Sequence, residues 1–144
     1  MAPICLIPAR LKSTRFPEKL LAKVQGKTIL QRTWENAQTT SLFSAVYVVT
    51  DHEKIAKHIE ELGGNVLWTS AECQTGTERI IEALGKYPKL QKADIIVNVQ
   101  GDHPCTSPEA IESTIKLLRE DRKAAMATAA IRFTDEKMFF SPHV

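Results

Sequence analysis

Residues 4–19 read Ile4-Cys5-Leu6-Ile7-Pro8-Ala9-Arg10-Leu11-Lys12-Ser13-Thr14-Arg15-Phe16-Pro17-Glu18-Lys19. Four apolar residues in a row, stopped by Pro8, have the form of a short buried strand. A polar loop follows, carrying Arg10, Lys12, Arg15 and Lys19 with hydroxyls on Ser13 and Thr14. Arginine offers a planar fork for two phosphate oxygens and lysine a compact charge. Prolines on either side stiffen the loop and lower the entropy lost when it closes on a ligand. The loop is neither a Walker A sequence nor a dinucleotide fingerprint, since it lacks glycine altogether. A solvated basic loop is the plain alternative, but four cations so soon after a buried strand point to an anionic ligand.

Working outward, Leu20–Val24 reads as a short extended piece turned by Gly26. Thr28 can cap a helix with Ile29, Leu30, Thr33, Trp34 and Ala37 on one face. Ala45–Thr50 is a β-branched second strand. Asp51 then opens a helix with Ile55, Ile59 and Leu62 inward, ended by Gly63-Gly64. Val66-Leu67-Trp68 is a third strand, and Thr77–Lys86 a helix with Ile80, Ile81 and Leu84 inward. Ile95–Val99 is a fourth strand. Ser107-Pro108 starts a helix striped by Ile111, Ile115 and Leu118, and Ala125–Ile131 reads as a fifth strand. Strands alternating with helices predict an α/β domain over residues 1–144: a mainly parallel, doubly wound, Rossmann-like sheet with helices on both faces. The apolar end, Met138 to Val144, reads as a cut rather than a domain boundary.

The 144 residues suit one domain, and a chain of this size buries roughly 68–70% of its unfolded surface. Apolar residues at 43% and charged residues at 25% are ordinary globular proportions. No apolar run approaches the ~20 residues of a membrane span, and the opening segment has the wrong order for a signal peptide. A cytoplasmic protein is therefore expected. Cys5, Cys73 and Cys105 form neither a disulfide framework nor a zinc module; His103 and Cys105 flank Pro104 without two further ligands. Net charge is only +2, yet seven cations between Arg10 and Arg32 face Glu18 alone. That segment is +6 and the remainder −4. One concentrated positive field suggests a polyanion at one place. With only Phe16 available for stacking, a small phosphorylated ligand fits better than nucleic acid.

In an open parallel sheet, ligands lie beyond the carboxyl ends of the strands. Three loops there carry polar residues: Pro8–Lys19, Cys73–Arg79 and Gln100–Thr106. In the second, Gly76 lets backbone come close, and the amides opening the next helix can meet a carbonyl or anion; a plain helix N-cap is the alternative. In the third, Asp102 sits at a strand end, where a hard carboxylate suits Mg²⁺ completed by substrate phosphates; a turn or helix cap is the alternative.

The segment IPARLKSTRFPEK resembles the opening signature of the 3-deoxy-manno-octulosonate (KDO) cytidylyltransferases. The resemblance continues through Gly26-Lys27, Val49-Thr50-Asp51, Gly63-Gly64, Gln74-Thr75-Gly76-Thr77-Glu78-Arg79 and Val97-Asn98-Val99-Gln100-Gly101-Asp102, in family order. It implies the reaction of CTP with KDO, giving CMP-KDO and diphosphate for lipopolysaccharide biosynthesis. Arg10, Ser13, Arg15 and Lys19 would then contact phosphate, with Lys19, Arg10 and Arg15 catalytic. The backbone of Ala9 and Arg10 would approach cytosine. Thr75, Gly76 and Arg79 would read base and ribose, Gln100 would face nucleotide or sugar, and Asp102 would hold Mg²⁺. The family's partners are CTP and KDO, with no nucleic acid or membrane, and its members form homodimers. Glu18 stands where the family usually has glycine, His103 where it usually has glutamate, and Thr75 where serine is more usual. The family also runs longer, and its remaining part carries most KDO contacts and a second metal-binding aspartate. The sequence leaves open a cytidylyltransferase for another acidic sugar and a non-catalytic CTP-binding remnant. The LKSTRFP loop favours KDO over sialic-acid relatives, whose loops run closer to GGSKRIP.

Overall fold

The computed structural model describes residues 2–12 and 16–130. Six strands and four α-helices follow one another: β1 (Ile4–Ala9), β2 (Lys23–Val24), β3 (Lys27–Thr28), α1 (Ile29–Gln38), β4 (Ala45–Thr50), α2 (Glu53–Glu61), β5 (Asn65–Trp68), α3 (Gly76–Lys86), β6 (Ile96–Asn98) and α4 (Pro108–Glu120). The main sheet is parallel in the order β5-β4-β1-β6. The chain builds outward from β1 through β4 to β5, then crosses back to lay β6 on the other side of β1. Strand order thus reverses between β1 and β6, the place where open α/β sheets bind ligands.

Alternation along β1 makes the two cores. Cys5, Ile7 and Ala9 join Leu30 and Trp34 of α1, Ile55 and Ile59 of α2, and Ile111 and Ile115 of α4. Ile4 and Leu6 face the other way, with Leu67 and with Ile80 and Ala83 of α3. Both faces of the sheet are therefore covered by helices, as expected. Each helix opens on a side-chain cap. Thr28, His52, Thr75 and Ser107 accept an amide of the first turn.

Several expectations change. Pro8 lies inside β1 rather than ending it. Ile4 N donates to the Ile95 carbonyl and the Leu6 carbonyl accepts from Val99 N, both on the β6 side, so Pro8 also turns its nitrogen that way, but β6 pairs no farther than Leu6. No ladder bond is lost by the missing N–H. The Leu20–Val24 piece is a 3-10 turn over Lys19–Leu21 that buries Leu20, then the hairpin β2–β3. Gln25 and Gly26 both have positive φ, 50° and 82°, as a two-residue hairpin turn requires. The helix expected to open at Asp51 is capped by His52 instead, because Asp51 is held by Arg79. Ile81 is 62% exposed. The buried face of α3 runs through Arg79, Ile80 and Ala83, and Ile81 lies about 100° round from Ile80 on a 3.6-residue turn. Residues 125–130 form no strand and are largely exposed, having no neighbouring strand to pair with among the described residues. Ile131 and the Met138–Val144 end lie outside the described residues.

Glu18 adopts the left-handed conformation, φ 54° and ψ 27°. A side chain there brings Cβ against the backbone at a cost of roughly 1–2 kcal/mol, which glycine avoids. The position where the resembled family carries glycine is thus one whose backbone favours it. The Glu18 carboxylate is tied to Lys54 Nζ of α2 at 2.6 Å, an exposed pair of small worth. Glu18→Gly is expected to raise stability by about 1 kcal/mol and the melting midpoint by a few degrees. A lower midpoint in a thermal melt would contradict the strain assigned to Glu18.

Candidate functional site

Three loops meet around Pro8 at the carboxyl ends of β1 and β6. A methyl group added to Gly101 would sit 3.0 Å from the Pro8 carbonyl oxygen, so a side chain there would press the loop after β6 away from β1 by a few tenths of an ångström. One added to Gly76 would sit 3.0 Å from Pro8 Cγ and 3.3 Å from Gln100 Oε1. The N-terminus of α3 therefore rests on Pro8 and beside Gln100. Arg10, the next residue beyond β1, donates from its guanidinium to the Gln74 carbonyl at 3.3 Å.

Helix α1 fixes the third loop at two points. The Thr33 hydroxyl, fully buried, reaches the Gly101 carbonyl at 2.8 Å, and Asn36 Nδ2 donates to the Thr106 carbonyl at 2.6 Å. Between these points His103 N donates to the Gln100 carbonyl at 3.0 Å, closing a turn with Asp102 inside it. The Asp102 carboxylate meets Lys19 Nζ at 2.7 Å, with the side chains 38% and 43% exposed. The 3-10 turn that buries Leu20 delivers Lys19 to this point. The hydrogen bond from Lys19 holds the Asp102 carboxyl below its ordinary range, against partial desolvation, with His103 adding to the effect. Asp102 is thus an anion at neutral pH, available as an oxygen ligand. His103 Nε2 stands 3.8 Å from its other oxygen.

Of the residues singled out in the sequence, Ala9, Arg10, Lys19, Gly76, Gln100 and Asp102 are placed around this crevice. Ser13 and Arg15 lie outside the described residues. Thr75 is exposed at the start of α3, and its hydroxyl caps that helix by accepting from Glu78 N at 3.1 Å. Arg79 is 3% exposed. It donates to Thr69 Oγ1 at 2.6 Å and to the Ser70 carbonyl at 3.3 Å. Its second terminal nitrogen lies 3.2 Å from Asp51 Oδ1. That oxygen is buried and makes no well-aligned hydrogen bond, so the contact is ionic rather than directional. Arg79 therefore ties the ends of β4 and β5 to α3. Sequence reasoning missed Thr33, Asn36, Asp51 and Thr69 in these supporting roles; a hydroxyl on the apolar stripe of α1 was the one available signal.

A cavity of about 480 Å³ opens between Val24–Gln25, α1 and Pro104–Cys105. None of Arg10, Lys19, Gly76 or Asp102 lines it, so the candidate site rests on converging charge and backbone at the topological reversal. Among the described residues no three His, Cys, Asp or Glu side chains gather as a metal cluster. The three cysteines are free, and burial pushes the Cys5 thiol up to about 12. No described helix is long and apolar enough to cross a membrane.

A family model described as cytidylyltransferase matches residues 4–144. The chain belongs to the cytidylyltransferase family. The relatives it matches include the 3-deoxy-manno-octulosonate cytidylyltransferase of Protochlamydia amoebophila, 44% identical over 93% of this chain and 52% of the relative. The enzyme of that name from Chlamydia pneumoniae is 42% identical over the same shares. The chain thus spans about half the length of these curated relatives. A solved CMP:2-keto-3-deoxy-manno-octonic acid synthetase, complexed with CTP, superposes with a TM-score of 0.78 at 31% identity, covering 84% of this chain and 48% of that one. A 4-diphosphocytidyl-2C-methyl-D-erythritol synthase shares the fold at TM-score 0.65 and 17% identity, over 85% and 56%.

Replacing Arg79 by methionine would keep most of the side chain's bulk and remove its donors, stranding a largely buried carboxylate. Arg79→Met is expected to cost about 3–5 kcal/mol of folding stability, read from the urea midpoint. A loss below about 1 kcal/mol, the size of an exposed ion pair, would contradict the anchoring role.

Proposed function

We propose that this chain forms the nucleotide-binding part of an enzyme that transfers a cytidylyl group from CTP to KDO, giving CMP-KDO and diphosphate. The observation that carries the reading is the meeting of Lys19 and Asp102 at the strand-order reversal, beside Arg10 and the N-terminus of α3. The names of the relatives supply the nucleotide and the sugar.

The KDO anomeric hydroxyl would attack the α-phosphorus of CTP, forming a new P–O bond as its proton passes to solvent, the α–β anhydride breaks and diphosphate leaves in line. Positioning and charge neutralisation suffice for this chemistry, without a covalent enzyme intermediate. Lys19, Arg10 and Arg15 would neutralise the phosphates, with Ser13 adding a hydroxyl contact. The backbone of Ala9 and Arg10 would approach cytosine, and Thr75, Gly76 and Gln100 would bound the base and ribose side. Arg79 would join them as the resemblance implies, and its burial supports a further role in anchoring α3. Asp102 would hold Mg²⁺. A single half-buried carboxylate fits an ion that takes its remaining ligands from substrate phosphates and water. When bound, the ion supplies further neutralisation of phosphate charge. The reaction would take place in the cytoplasm, as the composition suggests, and the enzyme would be a homodimer, as the resemblance implies.

Titration with CTP, UTP and GTP in Mg²⁺ tests the reading, with CTP expected to bind most tightly. Lys19→Ala should weaken CTP binding about ten- to a hundred-fold, the worth of a charge-assisted hydrogen bond. Equal affinity for the three nucleotides, or unchanged CTP binding in that variant, would reject the proposal.

A further inference from the structure

The two residues on which the proposed function leans hardest are bonded to each other. Lys19 Nζ sits 2.7 Å from Asp102 Oδ2, the distance of a close charge-assisted hydrogen bond. A divalent cation on the same carboxylate would compete for that oxygen and would be repelled by the ammonium beside it. Both side chains are more than a third exposed, so the pair is accessible from solvent and can open without disturbing the core. Lys19 lies on a short turn whose neighbour Leu20 is anchored in the core, and its side chain can swing while its backbone stays fixed.

We propose that Lys19 is a placeholder for the divalent cation at Asp102. The protein without nucleotide then binds metal weakly. A triphosphate draws Lys19 onto its own oxygens and opens the carboxylate to the ion. The inference rests on the reading of Asp102 as a metal ligand and Lys19 as a phosphate contact. By linkage the coupling runs both ways: whatever removes one partner strengthens ligand binding by the other.

The direct probe is Mn²⁺ alone, added to the nucleotide-free protein and followed through the spin-resonance signal of the free ion. Lys19→Met and Lys19→Gln should bind Mn²⁺ about five-fold or more tightly than the unaltered protein, while Lys19→Arg should bind it as the unaltered protein does. Lys23→Met, at an exposed position of β2, makes the same change in net charge and should leave Mn²⁺ affinity unchanged. Asp102→Asn should lose the Mn²⁺ site. In EDTA, where metal plays no part, that variant should bind CTP several-fold more tightly, because its Lys19 is released; this arm needs no substitution at Lys19. Equal Mn²⁺ affinity in the Lys19 variants and the unaltered protein, with the site still lost in Asp102→Asn, would overturn the placeholder and leave the metal-ligand reading standing. Mn²⁺ binding unaffected by Asp102→Asn both without and with CTP would overturn both.

Discussion

The candidate site depends on how closely three stretches of chain approach one another at Pro8. The carbonyl of Pro8 leaves little room for a side chain on Gly101, and its ring leaves as little for one on Gly76. Those two contacts bring the loop after β6 and the start of α3 within reach of the residues that leave β1. Close packing is unforgiving of added atoms, so the geometry of the crevice is set by backbone before any charged group is considered. Thr33 and Asn36 then pin the loop from α1, and Arg79 pins α3 from within the protein.

On that frame the charges fall into a consistent arrangement. Asp102 is aimed by a turn and met by Lys19. Glu18, which could have set a second carboxylate among the cations, is drawn instead to Lys54. The cost of that placement appears in the backbone, as a left-handed residue with a side chain. Among the described residues the site therefore brings Arg10 and Lys19 together with the Asp102 carboxylate, a suitable pattern for a phosphate chain that carries its own metal ion.

Much of this was legible in the sequence because strand and helix periods are strong signals. The run Ile4–Ile7, the β-branched run Ala45–Thr50 and the capped helices at Thr28 and Ser107 were placed correctly, and the alternation of strands and helices gave the layered sheet. Arg10, Lys19, Gly76 and Asp102 were drawn out by residue type and position at strand ends. What could not be read depends on tertiary contact. Pro8 looked like a stop, and only the short pairing of β6 explains why it is tolerated inside β1. Asp51 looked like a helix cap until Arg79 claimed it. The burial of Arg79 could not be read either, since the sequence gives no sign that a charged residue on α3 is covered. Ala125–Ile131 had strand composition, but residues 125–130 are left exposed without a partner strand among the described residues.

The central claim, that the crevice between β1 and β6 receives a metal-bound triphosphate, can be tested by where a paramagnetic nucleotide complex lies. Adding Mn²⁺ with CTP to the ¹⁵N-labelled protein should broaden the amide signals of Arg10, Gly76, Gly101 and Asp102. Those of Gly63, Gly64 and Asn65, which lead into β5 at the opposite end of the sheet, should stay sharp. Broadening centred on that opposite end, or spread evenly over the protein, would contradict the account.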